Sequence, residues 1–324
     1  MKTDIETAKD EFDADELNLI SLAQEYNDAD KARTLLEKLL WPNGPVCPHC
    51  KNTSNAAKGV YPLTPKATSK RPGRKGLYFC GACRKQFTVT VGTVFESSHI
   101  PIHKWLMALF LISSSKKGMS AHQIHRMLKV TYKTAWFMCH RIRFAMGDDA
   151  GEKLSGVVEV DETFVGGVGD LRTKFSRQTP VVALIEQGGK MKSRVVASVS
   201  AGILGKVMNE CVSKDAVICT DEHRGYKEPG EQFKAHHCVN HSKDEYTALK
   251  PDGVTASTNH CESYFSLLKR GVYGTWHCVS REHLQKYSNE FSFRKNTRTL
   301  TDGARMAAAV PMIEGKRLMY RQAV

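Results

Sequence analysis

The chain has 324 residues, of which 41% are hydrophobic and 25% are charged. This length allows two or three domains with a sizeable core, and the composition excludes a disordered chain, a collagen and a polytopic membrane protein. The longest apolar run, 105–112, is too short to span a membrane. The N-terminus is acidic where a secretory signal would be basic. We therefore expect a cytoplasmic protein whose ten cysteines are reduced thiols or metal ligands.

Positive charge is concentrated in one part of the chain. The formal net charge is +13, and between Lys51 and Gly147 there are 17 Lys and Arg residues against one acidic residue, Glu96. Such a field attracts a polyanion and releases its counterions, which predicts nucleic acid as a partner. A solvated basic surface without a ligand is the alternative, but that explanation suits a short charge run better than a segment of this length.

The first predicted unit is a helical lead over residues 1–42. Apolar residues recur at helical spacing over 17–41, and Asp28 or Asp30 is placed to cap a second helix. The acidic residues before this pattern are predicted to be a frayed tail.

The second predicted unit, residues 43–100, contains two Cys-x-x-Cys pairs. Four thiolates at this spacing can converge tetrahedrally on a structural zinc ion, whereas a redox pair or two unrelated pairs are the alternatives. The loop between the pairs is rich in Pro, Gly, Lys and Arg, so it is predicted to be a mobile basic loop that contacts DNA. The predicted zinc ligands are Cys47, Cys50, Cys80 and Cys83, and the loop's predicted DNA contacts are Lys70, Arg71, Arg74 and Lys75.

The third predicted unit, residues 101–147, is helical. A capped helix from Ser120 to Leu128, a turn at 129–130 and a second helix opened by Thr131 give the layout of a helix-turn-helix. A plain helical hairpin has the same pattern, and the adjoining basic charge favours the DNA-binding motif. The residues predicted to contact DNA from the second helix are Tyr132, Lys133, Thr134 and Arg141.

The period of the pattern changes in the fourth unit, residues 155–300. Short β-branched runs predict strands within 156–167, 180–189, 192–201 and 215–226, with a helix at 204–211 between the last two. Beyond Ser257 the pattern is helical, and residues 301–324 are predicted to form a C-terminal helix. The fold class is therefore α/β with a mixed sheet.

Three acidic residues stand out by their placement. Asp161 lies in the middle of a predicted strand, Asp221 at the end of another, and Glu262 in a predicted helix. Each of them alone could be an ordinary edge or turn acid. Together, two carboxylates on a sheet and one on a covering helix form an oxygen-ligand set for Mg²⁺ or Mn²⁺ in a phosphoryl-transfer site. By the strand period of two, Glu159 shares the face of Asp161 and Glu162 points the other way.

The helix that contains Glu262 has further polar residues on the same face. Asn259 lies three residues before Glu262, as a helix cap or a further polar group of the site. Lys269 lies two turns after it, where it and the adjacent Arg270 can reach a phosphate.

Several sequence blocks together resemble a known family over about residues 17–300. The blocks are WPNG with CPHC, CGAC with KQFTVTVGTVFESSHIP, EVDETFVGG, TDEHRGY, and STNHCESYFSLLKRGVYGTWHCVSREHLQKYSNEFSFRKNTR. In this order they resemble DDE-type insertion-sequence transposases with an N-terminal zinc ribbon, the ISXO-two-like group. The resemblance implies an RNase H-like catalytic core, a divalent-metal site, and binding to the terminal inverted repeats of a mobile element.

The resemblance also assigns roles by position. Asp161, Asp221 and Glu262 match the three acidic residues, and Lys269 matches the basic residue that follows. Groups within the family have either Glu or Asn in third place, and both Glu262 and Asn259 occur here. We favour Glu262 because an anionic ligand offsets the charge of Mg²⁺ better than an amide does.

The expected function is that of a DNA transposase that cuts the ends of its element and joins them to target DNA. Two ends must be held together, so at least a homodimer is expected on double-stranded DNA, in the nucleoid of a prokaryotic cytoplasm. Two alternatives remain open: a DNA-binding regulator that uses only the zinc ribbon and the helix-turn-helix, and an RNase H-like nuclease that cuts without joining.

Overall fold

The computed structural model describes residues 13–63, 74–147, 151–167, 178–240 and 247–323. The predicted loop contacts Lys70 and Arg71 and most of the acidic tail lie outside these residues. Within the described ranges, no helix is both long and apolar enough to cross a membrane.

The N-terminal lead contains two short capped helices, α1 (Leu19–Glu25) and α2 (Ala29–Leu40). Asn18 caps α1, and Asp28 caps α2 by accepting hydrogen bonds from the Asp30 and Lys31 amides. Of the two predicted caps, Asp28 is therefore the one used. The buried face of α2 packs on α3 (Ile102–Ser114).

A three-stranded antiparallel sheet surrounds the cysteine pairs, in the order β1 (Val60–Pro62), β2 (Tyr78–Cys80) and β3 (Gln86–Phe87). Trp41, just after α2, packs edge-on against the rings of Tyr78 and Phe87, with 5.3 and 6.0 Å between ring centroids. This aromatic contact joins the ribbon to the lead.

Helices α4 (Ala121–Leu128) and α5 (Tyr132–Ala145) begin and end where the sequence predicts. Ser120 caps α4 and Thr131 caps α5, and Lys129 adopts a left-handed conformation, with φ of 51°, that ends α4. The turn between the two helices is thus three residues long.

A five-stranded mixed sheet forms the second half of the molecule. Its order is β6-β5-β4-β7-β8. Strand β5 is antiparallel to both β6 and β4, whereas β7 is parallel to both β4 and β8. The strands are β4 (Val157–Val165), β5 (Thr179–Glu186), β6 (Met191–Val195), β7 (Val217–Thr220) and β8 (Ala235–Cys238). The predicted mixed sheet is confirmed, and its edge strand β8 lies outside every predicted run.

Helices cover both faces of this sheet. Helix α6 (Ala201–Cys211) packs on one face beside the short helix α7 (Lys227–Gly230). On the other face lie α8 (Asn259–Gly271), which continues into a π-helical turn, and α9 (Arg281–Asn296). A hairpin of β9 (Thr247–Leu249) and β10 (Thr255–Ser257) leads into α8.

The C-terminal segment does not form the single helix predicted over 301–324. It forms α10 (Asp302–Ala309), a 3-10 turn and α11 (Tyr320–Ala323), because Pro311 cannot continue a helix. Helix α10 packs on α3, and Met306 and Ile313 are fully buried in the core formed by the lead, the ribbon and α3 to α5. The last residues of the chain therefore complete the core of its first half.

Candidate functional site

The four cysteines of the ribbon form a compact cluster. Their Sγ atoms all lie within 4.8 Å of one another. The Sγ atoms of Cys47 and Cys83 are 3.7 Å apart, and those of Cys50 and Cys80 are 3.6 Å apart. Four thiolates in this arrangement suit a structural zinc ion and leave no position open for a reacting water.

Both halves of the cluster have the same backbone turn. The amide of Lys51 donates to the Cys47 carbonyl and that of Arg84 to the Cys80 carbonyl, each at 2.9 Å. Lys51 and Arg84 both have positive φ, at 58° and 56°. The backbone amide of Cys83 lowers the pKa of Cys80 to about 6 against the effect of burial, with a further contribution from the Asn52 amide. A thiol with a lowered pKa is more readily the thiolate that metal binding requires.

Strand β4 presents acidic side chains on both faces of the large sheet. Glu159 contacts α8 on one face, whereas Glu162 accepts a hydrogen bond from the Tyr226 hydroxyl on the other. Asp161 shares the face of Glu159 by the strand period. The predicted placement of Glu159 and Glu162 on opposite faces is therefore confirmed.

Asp161 and Asp221 come from neighbouring strands at the same edge of the sheet. Strands β4 and β7 are parallel, with Glu159 opposite Cys219, and the two aspartates lie two residues further along each strand. Since parallel strands present their carboxyl ends together, this register sets the two carboxylates side by side. The backbone amide of His223 donates to Asp221 Oδ1 at 3.1 Å.

The three acidic residues singled out in the sequence share one electrostatic field. Burial raises the pKa of Asp161 to about 7, although the Glu162 amide donates to its Oδ1, and the charges of Asp221, Glu162 and Glu262 raise the pKa further. Among the described residues, only the four thiols form a group of metal-ligand atoms all within 4.8 Å, so the carboxylates are spaced more widely than that. Oxygen donors that repel one another in this way suit a hard divalent cation.

Helix α8 supplies the third acidic residue. Glu262 is exposed in its first turn, and Lys269, two turns later, is half-buried. Thr258 is the N-cap and Asn259 the first helical residue, so Asn259 does not cap the helix. Arg270 is exposed, and its guanidinium donates to Ser266 Oγ at 2.7 Å.

Comparison with known proteins matches both halves of the chain. Residues 153–296 match the family model described as the ISXO2-like transposase domain, and residues 27–86 match the transposase zinc-ribbon domain. A similar protein of Halobacterium salinarum, described as an uncharacterized protein in transposable element ISH50, is 26% identical over 285 residues, 82% of this chain and 90% of that protein.

The chain therefore contains a transposase zinc-ribbon domain followed by an ISXO2-like transposase domain. The resemblance inferred from its sequence blocks is thereby confirmed. The four clustered cysteines lie in the ribbon match and Asp161, Asp221 and Glu262 in the other, whereas α3, α4 and α5 lie between the two matched segments.

The predicted DNA contacts at the start of α5 are accessible to different degrees. Tyr132 is exposed, with its ring stacked on His122 at 4.2 Å between centroids. The Lys133 ammonium lies 4.9 Å from the ring centroid of Tyr320, in α11 of the transposase. Thr134 Oγ1 is 2.8 Å from Thr131 Oγ1 within the cap. The C-terminal helix thus lies against the beginning of α5.

Arg141 requires a correction, because the structure encloses the side chain that was expected to contact DNA. It is 6% exposed, and its guanidinium donates to the carbonyls of Leu318 and Glu96, both at 3.1 Å. Its group also lies over the Phe137 ring at 4.6 Å. Arg141 therefore joins the C-terminal segment to α5 instead of reaching a phosphate.

Of the basic loop, the structure describes the C-terminal end, from Arg74 onward. Arg74 and Lys75 are both exposed, and Lys75 pairs with Asp30 at 2.5 Å. Surface pairs of this kind contribute little to stability, so Lys75 can exchange Asp30 for a phosphate at small cost.

Three residues near the acids were not singled out as functional from the sequence. His223 Nδ1 lies 3.9 Å from Glu162 Oε1, and Tyr226 donates to the same carboxylate. Glu159 is fully buried beneath the start of α8. The strand period placed Glu159 on the correct face, but no sequence signal showed that α8 begins above it.

Proposed function

We propose that this transposase binds the terminal inverted repeats of its insertion sequence, cleaves the DNA at the element's ends and joins those ends to target DNA. The observation that carries the proposal is the shared field of the acids, in which Asp221 and Glu262 both raise the pKa of Asp161. The parallel register of β4 and β7, which brings Asp161 and Asp221 to adjacent strands, supports the same grouping. The strand order β6-β5-β4-β7-β8 supports an RNase H-like core for this half.

The chemistry of the donor set fits Mg²⁺ or Mn²⁺, with Asp161, Asp221 and Glu262 as ligands. Such ions, when bound, activate the attacking oxygen and stabilise the leaving oxygen of a phosphodiester. Glu262 is preferred over Asn259 as third ligand because its charge contributes to the field at Asp161. Lys269, two turns along α8, would bind a DNA phosphate together with the adjacent Arg270.

We assign DNA recognition to the first half of the molecule. Phosphate contacts from the basic loop of the ribbon and from Lys133 would set the position of the duplex. Helices α4 and α5, with their three-residue turn, would act as a helix-turn-helix in which Tyr132 and Thr134 face the major groove. Because transposition joins two ends, the working complex would be at least a homodimer on DNA, in the prokaryotic nucleoid.

The decisive experiment substitutes Asp161 with Asn in the full-length protein. Loss of one ligand charge should reduce cleavage of an inverted-repeat duplex in Mn²⁺ by roughly a thousandfold or more. Fluorescence anisotropy should show unchanged affinity for the same duplex in Ca²⁺. The matched control is Glu152→Gln, which removes an acid that is 84% exposed and lies just before this domain.

The results separate the proposal from its two alternatives. A zinc-ribbon regulator would retain its activity in Asp161→Asn, so unchanged function in that variant would contradict a catalytic role. An RNase H-like nuclease would cut but fail to join. Supplying a pre-cut end with a free 3′-hydroxyl tests this, because strand transfer into a target plasmid is expected only of a transposase.

A further inference from the structure

We infer that Glu159 is a positioning residue, which holds the start of α8 so that Glu262 faces Asp161. This inference rests on the proposed function and adds a residue to the machinery of the same site. Glu159 lies two residues before Asp161, on the same face of β4. It is the link between the strand that contains the first acid and the helix that contains the third.

The burial of Glu159 indicates that its contacts matter. Its side chain is 0% exposed. Removing a carboxylate from water is costly unless hydrogen bonds or charges compensate for it. A hydrophobic residue would fill this position without that cost, so the contribution of the acid lies in the groups that it binds.

What Glu159 binds is the segment that opens α8. Oε1 accepts a hydrogen bond from the Ser257 hydroxyl at 2.6 Å and lies 2.8 Å from His260 Nδ1. Oε2 accepts from the backbone amide of His260 at 2.9 Å. The Gln187 amide adds a longer contact to Oε1 at 3.3 Å. Three of these four groups therefore come from Ser257, just before the N-cap, and His260, in the first turn of α8.

Helix α8 needs such a partner because its own cap is incomplete. The side chain of the N-cap residue, Thr258, accepts no hydrogen bond from the helix. The first amides of a helix have no partner within it, and the positive end of its dipole favours an anion. Glu159 supplies both the acceptor and the negative charge, from a strand instead of from the helix itself.

The turn that Glu159 anchors also determines the position of Glu262. The Glu262 amide makes the helical hydrogen bond to the Thr258 carbonyl at 3.1 Å, so Glu262 is fixed by the same turn that Glu159 anchors. Behind this turn, the Cys261 thiol lies against the carbonyls of Glu159 and Ala183. Glu262 is exposed, so the placement of its helix, more than burial of its own side chain, determines where its carboxylate lies.

The test compares Glu159→Gln with Glu186→Gln, a control at the end of the adjacent strand, where Glu186 pairs with Val158. The amide in Glu159→Gln removes the charge and keeps the size. Three quantities are measured on the full-length protein: hydrogen exchange of the His260 amide, Mn²⁺ affinity by electron paramagnetic resonance, and the single-turnover cleavage rate of pre-bound DNA.

We expect Glu159→Gln to accelerate exchange of the His260 amide about tenfold and to weaken Mn²⁺ binding by a similar factor, as loss of a charged hydrogen bond predicts. The cleavage rate should fall, whereas DNA affinity and zinc content should not change. Glu186→Gln should match the wild type in every measurement. If Glu159→Gln proves unstable, Ser257→Ala replaces it in the test. This variant removes one donor and leaves Glu159 in place, so it should give a smaller change in the same direction.

Unchanged exchange and Mn²⁺ affinity in Glu159→Gln would overturn the inference. Faster exchange with unchanged Mn²⁺ affinity would also overturn it, since Glu159 would then only stabilise the helix. If Asp161→Asn also leaves the Mn²⁺ affinity unchanged, the result contradicts the proposed metal site and not the role of Glu159.

Discussion

The two halves of the transposase place their reactive groups in opposite ways. In the zinc ribbon, two of the four cysteines that can bind metal are also part of the fold, since Cys80 ends β2 and Cys47 lies in the buried core. In the second half, alternating Val, Leu and Ile residues build the sheet, and Asp161 lies among them without contributing to either hydrophobic cluster.

This difference separates two uses of a metal site. Where ligands and fold are the same residues, loss of the ligand is loss of the structure. Where they are distinct, the carboxylates repel one another within a sheet that is stable for other reasons. The site can then be altered while the fold persists, which leaves stability and activity to be measured separately.

The largest expected effect tests the first half of this comparison. Replacing Cys80 with Ser removes a thiolate from the cluster and should eliminate bound zinc and the folded ribbon. Structural zinc contributes on the order of 10 kcal/mol in small zinc domains. Metal analysis and near-UV circular dichroism of the ribbon's aromatic residues would measure this. Cys238→Ser, at an exposed cysteine outside the cluster, should retain both zinc and signal.

The second prediction concerns the junction of the two halves. Glu290 of α9 is 0% exposed and pairs with Arg143 of α5 at 2.5 Å and with Arg294 on its own helix. Replacing Glu290 with Gln leaves two buried guanidinium groups without their counter-charge, which should lower the free energy of unfolding by about 3 to 5 kcal/mol.

Urea unfolding would measure this loss. The control is Glu282→Gln, at an exposed acid on the same helix. Equal stability of the two variants would show that the halves are joined mainly by apolar packing.

The smallest effect is a pH dependence within the helical half. Burial, with the charge of Arg143, lowers the pKa of His140 from 6.5 to about 2. The unfolded chain binds a proton here near pH 6.5 and the folded protein does not, so stability falls as the pH drops below 6.5. Between pH 6.5 and 5 the loss is about 2 kcal/mol.

In His140→Phe this part of the acid sensitivity should disappear, which urea unfolding at pH 7 and pH 5 would detect as a smaller difference than in the wild type. His99→Gln, at an exposed histidine, should retain the full wild-type difference. If the His140 variant also retains it, the ring is protonated in the folded state and the helical core is more open than its burial indicates.

Local sequence patterns predicted much of the fold. The caps at Ser120 and Thr131 predicted where α4 and α5 begin, and β-branched alternation predicted β4 and β5, because each signal lies within or beside the segment it describes. Strand β8 has a polar sequence, AHHC, and is a strand because it pairs with β7. Arg141 has the sequence context of an exposed helical arginine, but the C-terminal segment covers it through the Leu318 carbonyl.

The sequence by itself determined the family, the cysteine ligands and the identity of three candidate acids, since these depend on residue type and spacing along the chain. Only the tertiary structure decided that the acids share one field, that Glu159 lies beneath the start of α8, and that the last residues complete the first core. These facts depend on strand register and on contacts between residues far apart in sequence, such as the 101 positions between Glu159 and His260. No local pattern encodes such contacts, because they are selected by the packing of the whole chain.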